Sequence, residues 1–183
     1  MNGEGRRHPQ YPEAPWVLGA LTIDAGVLAE VEAHALAEYP SEACGLLFGP
    51  AADPARVDGA RREVNEADRY HRLDPQRFPR TSRTYFKMNE LHALRSFDEG
   101  ARAGRPVKVV YHSHCDAGAY FSAEDAATFA PEGALAWPAA FLVVSVVGDG
   151  EGGAPRVADR RLWVHEPDTG TFRESPFTVC APA

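Results

Sequence analysis

Tyr111-His112-Ser113-His114-Cys115-Asp116-Ala117-Gly118-Ala119-Tyr120-Phe121-Ser122-Ala123-Glu124-Asp125 is the stretch from which the rest of the chain can be read. It extends an apolar run, Val107, Val109, Val110 and Tyr111, that has the character of a buried strand. Residues i and i+2 of a strand share a side, so His112 and His114 can aim both imidazoles at one point. A short loop containing Gly118 follows. Ser122 is then placed to cap a helix, with Asp125 three residues on, where its carboxylate can turn back toward the strand end. Two neutral imidazoles and one carboxylate make a ligand set for catalytic zinc, with the fourth position left to water.

Such a centre needs a group to take the proton from that water. Upstream, Tyr39-Pro40-Ser41-Glu42-Ala43-Cys44-Gly45-Leu46-Leu47-Phe48-Gly49 sets Glu42 between a helix and an apolar strand. The combined pattern, Glu42 with His112-x-His114-x7-Ser122-x2-Asp125, resembles the JAMM metalloprotease motif of the catalytic MPN domains. The Glu-Ala-Cys-Gly-Leu-Leu run that starts at Glu42 is similar to the bacterial branch of that family. The resemblance spans roughly residues 20 to 150 and fills every motif position. It implies one zinc ion per chain held by His112, His114 and Asp125. Glu42 would be the general base and then acid acting on the zinc-bound water, and Ser122 would help hold the oxyanion and orient the site, alongside its capping role. The implied fold is a single MPN domain, a curved mixed sheet flanked by helices, like that of cytidine deaminases. The implied activity is hydrolysis of an amide or isopeptide bond after the C-terminal Gly-Gly of a ubiquitin-like protein. In small bacterial versions the partner would be a sulfur-carrier protein, whose extended tail suits a groove beside a sheet edge.

One position departs from the family. Many members have proline after the second histidine, where this chain has Cys115. As a fourth ligand Cys115 would block the water and leave a non-catalytic binding module with a structural metal or none. Alternation along the strand turns its side chain away from those of His112 and His114. A deaminase chemistry would need His-x-Glu and Pro-Cys-x-x-Cys, and neither is present.

The bulk properties agree with a single enzyme domain. A chain of 183 residues that is 44% apolar can bury one sizeable core. A net charge of −7 argues against nucleic acid as a partner. No run is long enough to span a membrane, and the basic residues near the N-terminus lack an apolar stretch behind them. Three widely spaced cysteines give no disulfide framework, so the expected location is the cytoplasm. A homodimer stays open.

Along the chain, residues 1–15 read as a loose polar tail and 16–183 as the domain. Val17 to Ile23 reads as the first strand. Asp24 caps a helix to about Tyr39 that ends at Pro40, and His34 on it reads as a surface or half-buried residue. Cys44 to Phe48 is a strand for a sheet covered on both faces, with Cys44 in the core. Another strand is expected near Arg61 to Asn65. Glu66 to Arg83 shows no clear periodicity and reads as a loop, rich in arginine at Arg69, Arg72, Arg77, Arg80 and Arg83. Two readings of it stand: a solvated loop paired to Asp68 and Asp74, or a docking loop for an acidic partner or terminal carboxylate, with Arg72 and Arg80 as substrate-binding candidates. Thr84 to Met88 reads as a strand. Asn89 caps a helix to about Ala103 with Leu91, Leu94 and Phe97 on one face and His92 at the surface. Ala139 to Val147 is the most apolar strand. Arg156 to His165 and Thr171 to Val179 flank a Pro-Asp-Thr-Gly turn as a hairpin, with Cys180 incidental beyond it.

Overall fold

The apolar run that leads into the two histidines becomes the strand around which the other elements are laid. In the computed structural model, which describes residues 7–150 and 152–181, a turn of 3-10 helix (Pro15–Leu18) leads into β1 (Leu21–Asp24) and α1 (Ala25–Glu38). Then come β2 (Cys44–Phe48), β3 (Arg56–Val57), β4 (Gly59–Glu63), α2 (Ala67–Leu73) and α3 (Glu90–Arg102). The described chain is completed by β5 (Val107–Cys115), α4 (Ala123–Phe129), β6 (Ala140–Val147), β7 (Arg156–Glu166), β8 (Thr171–Ser175) and β9 (Phe177–Cys180).

One mixed sheet runs in the order β4-β2-β5-β6-β7-β8, and a smaller parallel sheet runs β3-β1-β9. Within the large sheet β5 pairs antiparallel with β2 and parallel with β6. β5 is buried from Val107 through His114, and β6 from Ala140 through Val146. Strands covered on both faces read as continuous apolar runs, which is why both were legible. The parallel β5–β6 connection has to cross over, and it carries the Gly118 loop and α4. Leu46, Val110, Phe141, Leu142 and Leu162 fill the core that the sheet shares with Val31 of α1. No described helix is long and apolar enough to cross a membrane.

Several expectations are corrected. Of the expected tail, residues 1–6 lie outside the described residues, and within 7–15 His8, Tyr11 and Ala14 are packed against the domain while the others are exposed. His8 is buried against His165 (Nε2 to Nδ1, 3.0 Å), and the Tyr11 hydroxyl donates to the Leu135 carbonyl at 3.0 Å. The first strand begins at Leu21, because Pro15 starts a 3-10 turn that Gly19 ends at φ +91°. Within Glu66–Arg83, residues 67–73 form α2, started by the Asn65 side chain, whose Oδ1 accepts from Ala67 N. Thr84–Met88 joins no sheet. Its backbone is tied instead to Asn65 and Glu66, while Phe86 and Met88 are buried. Pro176, which has no N–H, divides the last expected strand into β8 and β9, and β9 leaves the hairpin to pair with β1. On α3, Leu91 and Leu94 are exposed (67% and 52%), and Ala93 and Ser96 are the buried residues. His34 is buried, its Nδ1 2.8 Å from the Tyr111 hydroxyl. Gly45 admits that tyrosine, since a Cβ there would collide with its ring.

Lys108 ties β5 to the small sheet. It is fully buried, and its ammonium donates to the carbonyls of Pro50, Asp53 and Arg56 at 2.9, 2.6 and 2.8 Å. Three donors of one buried ammonium meet three carbonyls. Lys108→Met should therefore destabilise the protein by at least about 2 kcal/mol, lowering Tm by roughly 4–8 °C in a thermal melt. An unchanged Tm would show that the three carbonyls find other donors.

Candidate metal centre

Strand alternation brings His112 and His114 to the same side at the end of β5, and α4 supplies the carboxylate. The Nε2 atoms of the two histidines lie 3.2 Å apart. Asp125 Oδ1 is 3.4 Å from His112 Nε2, and Oδ2 is 3.6 Å from His114 Nε2. His114 Nδ1 is 2.8 Å from the Gly118 carbonyl, which can only accept, so the proton sits on Nδ1 and Nε2 presents its lone pair. The His112 ring stacks on Phe86 at 4.4 Å between centroids, and its buried Nδ1 has no partner among the described residues.

These donors fit a zinc ion. A tetrahedral centre with ~2.0–2.1 Å bonds separates its ligand atoms by roughly 3.3–3.4 Å, close to the separations above. Among the described residues, the group of potential donors that converges consists of His112, His114 and Asp125, all buried. Cys115 borders the cleft but is not in the group, and burial pushes its thiol up to about 12.

The ligands are held from behind. Ser122 and Asp125 form a capping box: Asp125 N donates to Ser122 Oγ (3.0 Å), and Ser122 N donates to Asp125 Oδ2 (2.9 Å). The Ser122 hydroxyl donates to the same Oδ2 at 2.7 Å. Burial alone would raise the Asp125 carboxyl, but the His112 charge and the hydrogen bonds from Ser122 hold it well below the usual carboxylate range. In the intervening loop, three successive carbonyls are each engaged. Ala117 O accepts from Ser145 Oγ (2.6 Å), Gly118 O from His114, and Ala119 O from the Trp163 indole (2.9 Å).

Glu42 reaches the same cleft from just before β2, the strand paired with β5. Its N–H donates to the Ser82 carbonyl (2.7 Å), and its carbonyl accepts from Asn65 Nδ2 (2.9 Å). Ser82 is in turn fixed by Asp68, which accepts from its N–H and hydroxyl at 2.7 and 2.8 Å. Ala43 N donates to Ser113 Oγ at 2.8 Å, and Ser113 N donates to Ala43 O at 2.9 Å. Burial pushes the Glu42 carboxyl up to about 8; the His114 charge opposes that rise and the Asp125 charge adds to it.

Of the residues singled out in the sequence, Glu42, His114, Ser122, Asp125 and Arg80 line one cleft, and His112 lies buried beneath it. Arg72 stands outside it, in a neighbouring depression with Asp68 and His71. The supporting residues Asn65, Asp68, Ser82, Ser113, Ser145 and Trp163 were not singled out. Ser113 did leave a signal: a hydroxyl inside a fully buried strand has to find a partner.

Residues 24–164 match the family model described as prokaryotic homologs of the JAB domain. Curated relatives named CysO-cysteine peptidase, from Mycobacterium tuberculosis and Mycobacterium bovis, are 30% identical over 105 residues, 57% of this chain. The match spans 62% of those relatives' own length. A solution structure from Desulfitobacterium hafniense has a TM-score of 0.55 at 22% identity, and one from Salinibacter ruber has 0.55 at 25%. Each comparison covers 88% of this chain and 93% of the other. They share its fold.

Glu42 makes the metal-free protein sensitive to pH. Its carboxyl ionises near an ordinary 4.5 when unfolded and near 8 when folded, so the folded state keeps a proton that the unfolded state has lost. Its contribution is intact below the lower value and is lost as pH rises toward the upper one. With chelator present, Glu42→Gln should match the wild-type Tm near pH 5 and exceed it by about 3 °C or more near pH 8.5. Equal melting temperatures at both pH values would contradict the buried, proton-holding carboxyl.

Proposed function

The chain belongs to the family of prokaryotic homologs of the JAB domain, and from that premise we propose that it is a zinc-dependent peptidase. Its substrate would be the amide or isopeptide bond after the C-terminal Gly-Gly of a ubiquitin-like sulfur-carrier protein. The observation that supports this most is the triangle of His112, His114 and Asp125 donors, 3.2–3.6 Å apart, with the buried Glu42 carboxylate in the same cleft.

His112 Nε2, His114 Nε2 and an Asp125 oxygen would hold the ion. When bound, zinc supplies Lewis acidity, polarising a carbonyl and bringing the pKa of water to near ~7. The Glu42 carboxylate takes the proton of the attacking water and returns it to the leaving amine. A carboxyl that burial favours in its neutral form is suited to that return step, and the nearby His114 and Arg80 charges favour the ionised form needed for the first. Gly118 O fixes the His114 tautomer, and the capping box fixes Asp125. Ser122 orients Asp125, and its hydroxyl must leave Oδ2 before it can serve a developing oxyanion. Arg80, on the cleft wall and braced by Glu124, is better placed to meet the carrier than the outlying Arg72.

The name of the mycobacterial relatives makes cysteine the first leaving residue to try. A sulfur-carrier protein extended past Gly-Gly by cysteine would be incubated with zinc-loaded wild type, with Glu42→Gln, and with wild type plus chelator, and followed by intact mass. Loss of the extension with wild type alone is expected, the variant being slower by roughly 10²–10⁴-fold. Equal cleavage by wild type and Glu42→Gln would remove the base, and no cleavage of any carrier would remove the peptidase reading.

A further inference from the structure

The cleft contains a cation that the proton chemistry does not use. Arg83 lines it together with Glu42, His114 and Asp125, and forms neither an ion pair nor a hydrogen bond with any described residue. Arg80, the other arginine of the cleft, is occupied: Nη2 lies 2.5 Å from Glu124 Oε1, and Nη1 donates to the Thr84 carbonyl at 3.4 Å. That pair cancels one carboxylate of the cleft, while Arg83, near enough to Asp116 for its charge to lower that carboxyl, keeps its hydrogen-bond donors unused among the described residues.

Arg83 is also anchored to the base. It sits on a turn closed by Thr84 N to Thr81 O at 3.2 Å. Its chain neighbour Ser82 is pinned by Asp68 and accepts the Glu42 N–H at 2.7 Å. The backbone of Arg83 and that of Glu42 are therefore held in one hydrogen-bonded unit.

We propose that Arg83 binds the free α-carboxylate of the residue released by cleavage. The enzyme would then act on carriers extended by a single residue, in preference to isopeptide-linked or longer ones. This rests on the peptidase reading of the site. The leaving nitrogen must come within reach of Glu42 to take its proton. In a single leaving residue the α-carboxylate carbon lies only roughly 2.5 Å from that nitrogen, across one Cα. The group that reads it has to reach into the cleft that Glu42 lines, and Arg83 lines that cleft from a segment tied to the Glu42 backbone. An isopeptide leaving group presents an aliphatic lysine stem there, and a longer peptide presents a neutral amide. A guanidinium fork matches a carboxylate in two parallel hydrogen bonds and offers no such match to either alternative. The Glu42 carboxylate in the same cleft would otherwise repel an anionic substrate end. Arg83 is exposed, so the preference weakens as salt is added.

The test uses a synthetic peptide ending Gly-Gly-Ala, as the free acid and as the carboxamide; alanine avoids a thiol that could bind the metal. kcat/KM for both is measured with zinc-loaded wild type, Arg83→Gln, Arg83→Lys and Arg80→Gln. Binding of both peptides to Glu42→Gln, with and without Arg83→Gln, is measured by calorimetry. Wild type should prefer the acid by about tenfold or more. Arg83→Gln should bring the ratio near one, Arg83→Lys should keep part of it, and Arg80→Gln should keep most of it. If Arg83 only positioned Glu42, its loss would slow both peptides alike and leave the ratio intact, which would overturn the assignment. Equal use of the two peptides by wild type, or a ratio lost in Arg80→Gln but not in Arg83→Gln, would do the same. If neither peptide is cleaved, binding decides. An Arg83-dependent preference for the acid keeps the carboxylate site while the peptidase reading falls, and no preference ends both.

Discussion

Two hydrogen bonds between Ser113 and Ala43 hold the halves of the site together. Glu42 stands just before β2, and the metal donors stand at the end of β5, about seventy residues later in the chain. Only the register of these two strands sets the distance between them. The ladder pairs Cys44 with His112, and the Ser113 hydroxyl adds a clamp one residue further on. A slip of one residue would turn every side chain of a strand to its other face and separate the imidazoles from Glu42. The burial of β5 on both sides makes such a slip costly, because Lys108 and Ser113 would lose partners that no water could replace.

The three carboxyl groups of the cleft illustrate how position assigns a role. Asp125 is surrounded by imidazoles and hydrogen-bond donors and is held as an anion. Glu124, one residue earlier, turns to Arg80 and is neutralised by it. Glu42 is buried, and its shift is dominated by desolvation, which favours the protonated form. Environments that drive acidic groups apart in this way suit the divided labour proposed for the site, with Asp125 as a ligand, Glu124 as a brace and Glu42 as a proton carrier.

What could be read in advance was what local chemistry encodes. The His112–Asp125 spacing, the Asn89 cap and the apolar runs of β2, β5 and β6 each depend on neighbours in sequence. What escaped was decided at long range. Thr84–Met88 has the composition of a strand, but the Asn65 side chain took its backbone groups and left nothing for a sheet. The tail around His8 looks polar, yet His165, 157 residues away, gives that imidazole a buried partner. Leu91 and Leu94 suggested the packed face of α3, whereas Ala93 and Ser96 are turned inward. The arginine-rich segment was recognised as a functional candidate. That Arg80 is paired depends on Glu124, a residue of α4 that sequence spacing does not connect to it.

The capping box has a further consequence. Asp125 closes the first turn of α4 with the same carboxylate that the ion would use, and Gly118 O has already oriented His114. The helix end and the ligand set are thus one structure, complete in the folded chain through its own hydrogen bonds. In zinc fingers the ion organises the polypeptide, and removing it unfolds them. Here the start of α4 and the aim of Asp125 and His114 rest on the chain's own hydrogen bonds. An ion bound there would meet donors already aimed by the fold, because the Ser122 and Gly118 contacts that start α4 and close the loop also set the geometry in which it would be held.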